Sequence, residues 1–156
     1  MRELLTKSAE ETTELGRKVL LDALKSAEKD TPLIFYLSGE LGAGKTYFVK
    51  GLAKVLGIST ITSPTFVLMK KFKISAMLKE CKAKDKEYFF HIDCYRIYDA
   101  EDARQVDLDK TLTNPRAIVA IEWAERIAEL IPKPYWKVEF EYEGEKKRKI
   151  VVRREE

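Results

Sequence analysis

The feature that most constrains this chain is the eight-residue segment 39–46, which reads G-x-x-x-x-G-K-T. Glycines let such a loop aim successive backbone N–H groups at phosphate oxygens, and the helix that follows adds the positive end of its dipole. In this pattern Lys45 reaches the terminal phosphates and the Thr46 hydroxyl binds Mg²⁺. The segment therefore predicts a phosphate-binding loop for a nucleoside triphosphate.

The residues on either side supply the structural context that this motif requires. Residues 33–37 form a short apolar run, typical of a buried parallel strand. After the loop, residues 45–56 place apolar side chains at helical spacing, and Gly57 is a typical helix stop. The order strand, loop and helix favours a ligand-binding loop over a glycine-rich turn.

Two later apolar runs end on carboxylates. Residues 88–93 end at Asp93, and residues 117–121 are followed by Glu122. Because the carboxyl ends of parallel strands meet at one edge, both acids are expected near the phosphate loop. One would bind Mg²⁺, directly or through water, and the other would orient the attacking water or a switch segment. The sequence does not divide these roles, and either acid could instead cap the following helix. The lone histidine, His91, is predicted to be packed rather than catalytic.

The first half of the remaining chain predicts one clear helix and two segments for which the sequence allows two interpretations each. Ser8 opens a capping box, and helical spacing continues to about Lys29. Residues 61–68 predict an extended loop before a strand, either a sensor of the γ-phosphate or metal, or simply a strand entry. Residues 74–87 fit a Lys-rich helix or a mobile insertion equally well.

The second half predicts short helices and a hairpin. Residues 101–112 and 124–131 are expected to be short helices. Residues 136–142 alternate and residues 149–153 return after a Gly-containing turn, which indicates an antiparallel C-terminal hairpin.

Composition indicates one domain over residues 1–156, with 45% hydrophobic and 35% charged residues as in soluble globular proteins. Cys81 and Cys94 have no metal-ligand spacing, so ordinary packing is expected. No apolar run reaches the length of a membrane span, so no membrane association and a cytoplasmic location are expected.

The net charge is only +3, but basic residues cluster at 70–86 and 146–154. These clusters are either nucleic-acid or acidic-partner contacts, or solvated faces.

Several motifs together resemble the bacterial TsaE (YjeE) family, the small ATPases of tRNA threonylcarbamoyladenosine synthesis. The resemblance covers roughly residues 8 to 130, in order and at plausible spacing. The motifs are Glu11-Thr12-x-x-Leu15-Gly16, the loop 39–46, Ser63-Pro64-Thr65-Phe66, His91-x-Asp93-x-Tyr95-Arg96 and Ile121-Glu122-Trp123-Ala124-Glu125. Members commonly have Pro where this chain has Ala124, and the Lys-rich stretch 70–86 is longer than expected.

The resemblance implies an α/β fold of the P-loop NTPase type, a three-layer sandwich with a mostly parallel central sheet, to which the hairpin is added. It implies that Thr46 and Glu122 bind Mg²⁺, that Lys45, Asp93 and Glu122 serve catalysis, and that residues 63–66 form a mobile loop. The nucleotide-binding residues it implies are Thr12, Gly39, Leu41, Gly42, Ala43, Gly44, Lys45, Thr46 and Tyr47.

The function implied by the resemblance is Mg²⁺-dependent ATP hydrolysis, slow in the protein alone. Family members act with the partner proteins TsaB and TsaD and support threonylcarbamoyl transfer onto adenosine 37 of tRNAs that read codons starting with A. Contact with tRNA would be direct or through that complex. Two alternatives remain: a small nucleoside or nucleotide kinase, and a nucleotide-gated binding module with negligible hydrolysis.

Overall fold

Seven strands and four helical segments make up the computed structural model, which describes residues 1–62, 68–74, 83–98, 102, 107–144 and 146–156. In chain order these elements are β1 Arg2–Thr6, α1 Ala9–Lys25, β2 Leu33–Gly39, α2 Lys45–Val55, β3 Met69–Lys73, β4 Tyr88–Asp93, α3 Leu108–Leu112, β5 Ala117–Glu122, a 3-10 helix Ala124–Leu130, β6 Tyr135–Tyr142 and β7 Arg148–Glu155.

All seven strands belong to one mixed sheet in the order β1-β7-β6-β2-β5-β4-β3. The central strands β6, β2, β5 and β4 run parallel to one another. Antiparallel strands lie at both sides, because β7 pairs with β6, β1 with β7, and β3 with β4. The predicted α/β sheet with an antiparallel C-terminal hairpin is confirmed.

The sheet carries a separate apolar core on each face, which makes three layers. One core lies under α1 and α2 and includes Phe35, Phe48 and Leu52. The other core lies under α3 and the 3-10 helix and includes Ile121 and Leu112. Alternation along β2, β4 and β5 sends successive side chains to opposite cores, so these three strands read as continuous apolar runs.

The close crossing of α1 and α2 depends on two glycines. A Cβ added to Gly16 would lie 2.2 Å from the carbonyl oxygen of Phe48, and a Cβ added to Gly51 would lie 2.0 Å from that of Thr13. Only residues without side chains allow the two backbones to approach this closely. The crossing therefore sets the position of α2, which begins at the phosphate loop.

The boundaries of several elements differ from the predictions. Ser8 caps α1 by accepting a hydrogen bond from the Glu11 N–H, but the helix ends at Lys25 rather than near Lys29. The Glu11 carboxylate accepts from the Lys7 N–H, one residue before the position that a capping box predicts. Residues 124–130 form a 3-10 helix, and the strand β1 was not predicted.

Some predictions fall partly or wholly outside the described residues. The Ser63-Pro64-Thr65-Phe66 loop and Cys81 lie outside them, as do parts of the segments 74–87 and 101–112. The strand expected after the loop is β3, and the end of the 101–112 segment is α3. Within the described part of the chain, no helix combines the length and the apolar character that crossing a membrane requires.

Candidate phosphate-binding site

A cleft of about 240 Å³ opens at the carboxyl ends of β2, β4 and β5. This is the edge where open parallel sheets bind ligands. The residues that line it are Leu41, Gly42, Gly44, Lys45, Thr46, Tyr47, Asp93, Tyr95, Glu122 and Trp123.

The start of α2 leaves its first turn open toward this cleft. Gly44 is the residue before the helix, with φ 108°, a left-handed conformation that glycine adopts without strain. No side chain at that position caps the helix, unlike Ser8 at the start of α1. A helix N-terminus without a side-chain cap presents N–H groups and a positive dipole to an anion. The loop and α2 thus have the geometry that a phosphate cradle requires, and phosphate binding there stays a prediction.

Lys45 is held inside the loop by its own backbone. Its ammonium group donates hydrogen bonds to the carbonyl oxygens of Gly39, at 2.5 Å, and Glu40, at 2.8 Å. It also lies 4.0 Å from the centre of the Trp123 ring, a cation–π contact. Burial lowers the pKa of Lys45, against the opposing charges of Glu122, Glu125 and Asp93. A phosphate in the cleft would compete with the two carbonyls for this ammonium group.

Glu122, at the end of β5, is the acid that contacts the loop helix. Its carboxylate is almost fully buried, with 3% of the residue exposed. The Thr46 hydroxyl donates to this carboxylate, 3.0 Å and 2.9 Å from its two oxygens. On the other side, His91 Nε2 lies 2.8 Å from Glu122 Oε1. His91 is buried, as predicted from the sequence, but with a polar partner that the sequence did not reveal.

Asp93 stands beside Glu122 in the sheet. The two residues are register partners of the parallel strands β4 and β5, so their side chains emerge on the same face. One Asp93 oxygen accepts a hydrogen bond from the Tyr95 N–H at 3.0 Å, and Asp93 also lines the cleft. The two predicted acids thus reach the same edge.

Three predicted nucleotide-binding residues lie beside the cleft rather than in its wall. Thr12 is fully buried in α1, and its hydroxyl is hydrogen-bonded to Thr6 Oγ1 and to the carbonyl oxygen of Ser8. Its methyl group comes within 3.4 Å of the position that a Cβ on Gly44 would occupy. The Gly39 carbonyl binds Lys45, and Ala43 packs into the core with 1% exposure.

The C-terminal hairpin contributes two residues that sequence reasoning missed. The Tyr142 hydroxyl donates to the carbonyl oxygen of Leu41 at 3.2 Å, and it lies 2.7 Å from where a Cβ on Gly42 would be. The side chain of Arg148 comes within 3.0 Å of the corresponding position at Gly44. No local pattern links residues about a hundred positions apart, so only the order of strands places them together.

One aromatic ring lies over Lys45 in the cleft, and a second ring packs against the first. Trp123 adopts a left-handed conformation, with φ 57°, directly after β5, and this turns its ring toward Lys45. The Tyr95 ring lies 5.1 Å from the Trp123 ring, centre to centre. Left-handed backbone in a residue other than glycine is uncommon and often occurs at functional sites. The sequence marked Trp123 only as part of a family motif.

The donor set at this site suits a magnesium ion carried by a nucleotide. Mg²⁺ in such sites takes one or two protein oxygens and completes its shell with phosphates and water. Thr46 and Glu122 offer one hydroxyl and one carboxylate in direct contact. Across the part of the chain that the structure describes, His, Cys, Asp and Glu form no group of three or more able to hold a metal by themselves.

Much of the charge in the C-terminal basic cluster is paired within the protein. Lys149, Arg153 and Arg154 form ion pairs with glutamates, among them Glu3, Glu139 and Glu28. In the other basic cluster, Lys70 donates to the Thr62 hydroxyl at 2.5 Å. These pairings favour the solvated-face interpretation for the residues they involve.

Comparison with known proteins gives one consistent family. The family model for "Threonylcarbamoyl adenosine biosynthesis protein TsaE" matches residues 6–150. The chain is 38% identical over 120 residues to a Borreliella burgdorferi protein named tRNA threonylcarbamoyladenosine biosynthesis protein TsaE, an alignment that covers 76% of this chain and 80% of the relative. A protein of the same name from Aquifex aeolicus is 34% identical over 129 residues, covering 81% and 79%.

A solved structure agrees with these relatives. The crystal structure of Bacillus subtilis YdiB superposes with a TM-score of 0.65 and 25% sequence identity. The superposition covers 97% of this chain and 83% of that protein.

Proposed function

Because the chain belongs to the TsaE family of threonylcarbamoyl adenosine biosynthesis proteins, we propose that it is a Mg²⁺-dependent ATPase of tRNA threonylcarbamoyladenosine synthesis. The observation that carries the proposal is the direct contact between Thr46 and the buried carboxylate of Glu122, beside the loop that holds Lys45. This contact joins the phosphate cradle to an acid at the end of a parallel strand. Such an arrangement is typical of phosphoryl-transfer sites.

Each residue has a role that follows from its position. Lys45 would leave the carbonyls of Gly39 and Glu40 and pair with the terminal phosphates of ATP. Thr46 and Glu122 would hold Mg²⁺, which neutralises negative charge on the phosphates. Asp93 would orient the attacking water, because it lines the same cleft and is the register partner of Glu122.

Hydrolysis by the chain alone is expected to be slow. No arginine among the sequence motifs is an obvious finger for the transferring phosphate, with Arg96 the one candidate. A missing finger lowers the rate by about 10³ to 10⁵. We propose that the partner proteins TsaB and TsaD complete the reaction cycle, and that the chain supports threonylcarbamoyl transfer onto adenosine 37 without performing it.

A steady-state ATPase assay with purified protein and Mg²⁺-ATP tests the proposal. Lys45→Ala, Asp93→Ala and Glu122→Ala should each lower turnover by about a hundredfold or more, because each removes a group that acts on developing charge. Lys54→Ala is the matched control, since this lysine is exposed in the last turn of the same helix. Turnover that is equal in all four variants would refute the assignment.

Family membership favours this ATPase over the small kinase that the sequence left open. A kinase of that kind would transfer phosphate to a second substrate rather than to water. Incubation with ATP and a panel of nucleosides should give ADP and inorganic phosphate only. A phosphorylated nucleoside would reverse the ranking. A binding module with negligible hydrolysis would instead bind ATP normally but release no phosphate, with or without the partner pair.

A further inference from the structure

His91 is the only histidine of the chain, and it lies in the interior of β4 with no exposed surface. It shares a face of the sheet with Phe89, whose ring packs in the core under α1 and α2. Its register partner on β5 is Ala120. The small side chain of Ala120 leaves room on this face, and the imidazole extends toward Glu122, two residues further along β5.

The chemistry of the partner fixes the direction of this hydrogen bond. An ionised carboxylate only accepts hydrogen bonds, so the ring nitrogen that faces it must carry the proton. Nε2 lies 2.8 Å from Glu122 Oε1 and is therefore the donor. Nδ1 is buried and has no hydrogen-bond partner among the described residues. An unpaired buried N–H is costly, which also favours the tautomer with its proton on Nε2.

The Glu122 carboxylate has a second hydrogen-bond donor, the Thr46 hydroxyl, which the proposed function also assigns to the cation. Thr46 donates to Glu122 in this structure. If the Thr46 oxygen bound a cation, as the proposed function requires, its hydroxyl would turn and its hydrogen bond to Glu122 would weaken. His91 then remains the donor that holds the Glu122 side chain in one orientation.

From this arrangement we infer that His91 is a positioning residue, which holds Oε1 of Glu122 so that the carboxylate is pre-oriented for the divalent cation. The inference rests on the proposed function. Hydrogen-bonding partners of metal-ligating side chains typically contribute about 10- to 100-fold in metal affinity. If His91 had only a packing role, its replacement would lower stability. It would not lower the affinity for the cation while leaving the affinity for the nucleotide unchanged.

Gln and Met variants at position 91 separate the hydrogen bond from packing. The two side chains have similar length and volume, but only the Gln amide can donate to Glu122. Isothermal titration calorimetry would first measure the affinity of the protein for a non-hydrolysable ATP analogue in the presence of EDTA. A separate titration without EDTA would then measure the affinity of the nucleotide-loaded protein for MgCl₂. Phe89→Leu is the control for loss of packing on the same strand and the same face.

We expect His91→Met to weaken Mg²⁺ binding by about 10- to 100-fold while metal-free nucleotide affinity stays within about twofold. His91→Gln should recover most of the loss, and Phe89→Leu should leave Mg²⁺ affinity unchanged. An unchanged Mg²⁺ affinity in His91→Met, or an equal loss of Mg²⁺ affinity and nucleotide affinity, would overturn the inference about His91. Either result would leave the proposed function standing. A wild-type protein whose nucleotide affinity does not respond to Mg²⁺ would overturn the proposed function, and the inference with it.

A measurement on the unmodified protein covers the case in which His91→Met does not fold. Because the chain has one histidine, a ¹⁵N-detected imidazole spectrum contains a single spin system. It should show the proton on Nε2, and the Nε2 resonance should shift when MgCl₂ is added to the nucleotide-loaded protein. A proton on Nδ1, or an Nε2 resonance that does not respond to Mg²⁺, would refute the positioning role.

Discussion

Replacing Gly51 by Ala should destabilise the protein, although alanine is the better helix former. In an exposed helix interior this change stabilises by about 1 kcal/mol. Here the new Cβ would lie 2.0 Å from the Thr13 carbonyl oxygen and 2.8 Å from the Arg17 backbone nitrogen. Both are backbone atoms of α1, so no side-chain rotation can relieve the contact, and the two helices must move apart.

The size of the effect follows from this geometry. Ordinary van der Waals contact of a Cβ begins near 3.4 Å, so the closest pair must separate by more than an ångström. Overpacking of this kind costs about 1–3 kcal/mol and occasionally more, and a clash between two backbones belongs at the upper end. After subtraction of the propensity gain, we expect a net loss of about 2 kcal/mol in the free energy of unfolding. For a chain of this length the melting temperature should fall by about 4–8 °C.

Urea denaturation followed by circular dichroism would measure the loss, with Lys54→Ala in the same helix as the control. Lys54 is exposed, so its substitution should change stability by less than about 0.5 kcal/mol. Since α2 begins at the phosphate loop, Gly51→Ala should also weaken nucleotide binding. A Gly51→Ala protein as stable as the wild type would refute the close crossing of α1 and α2.

Two further predictions concern buried polar groups. Lys86 is 4% exposed and donates to three backbone carbonyls, so Lys86→Met should cost about 3 kcal/mol in urea denaturation, and an unchanged midpoint would contradict its structural role. Burial raises the pKa of the Cys94 thiol to about 12, and only the thiolate reacts with iodoacetamide. In a Cys81→Ser background, alkylation at pH 8 should therefore be about a thousandfold slower than in the urea-unfolded chain and should accelerate as the pH rises. Equal rates in both states would show that Cys94 is accessible.

Local sequence patterns were enough to predict the elements that border the candidate cleft. The apolar runs of β2, β4 and β5 are continuous because both faces of these strands are covered. Such runs can be recognised in the sequence without knowledge of the strands that pair with them. Once those strands are taken as parallel, Asp93 and Glu122 must end at one edge. The phosphate loop is likewise local, since its glycines and the helix that follows are consecutive in the chain.

The parts that were missed depend on pairing between distant segments. Four of the five residues of β1 are exposed, so no apolar alternation marks it as a strand, and it exists because β7 offers an edge. The contacts of Tyr142 and His91 depend in the same way on strand order and register. A single sequence carries no local signal for either, although His91 at the centre of an apolar strand is a polar group that needs a partner.

The most direct test of the central claim is a tRNA modification assay with the partner pair TsaB and TsaD, substrate tRNA, an activated threonylcarbamoyl donor, ATP and Mg²⁺. Repeated rounds of threonylcarbamoyl transfer onto adenosine 37 should require this chain, and they should fail with Lys45→Ala while Lys54→Ala supports them fully. The assay should also show phosphate release that depends on Lys45. Multiple turnovers with the Lys45→Ala protein, or in the absence of the chain, would contradict the account.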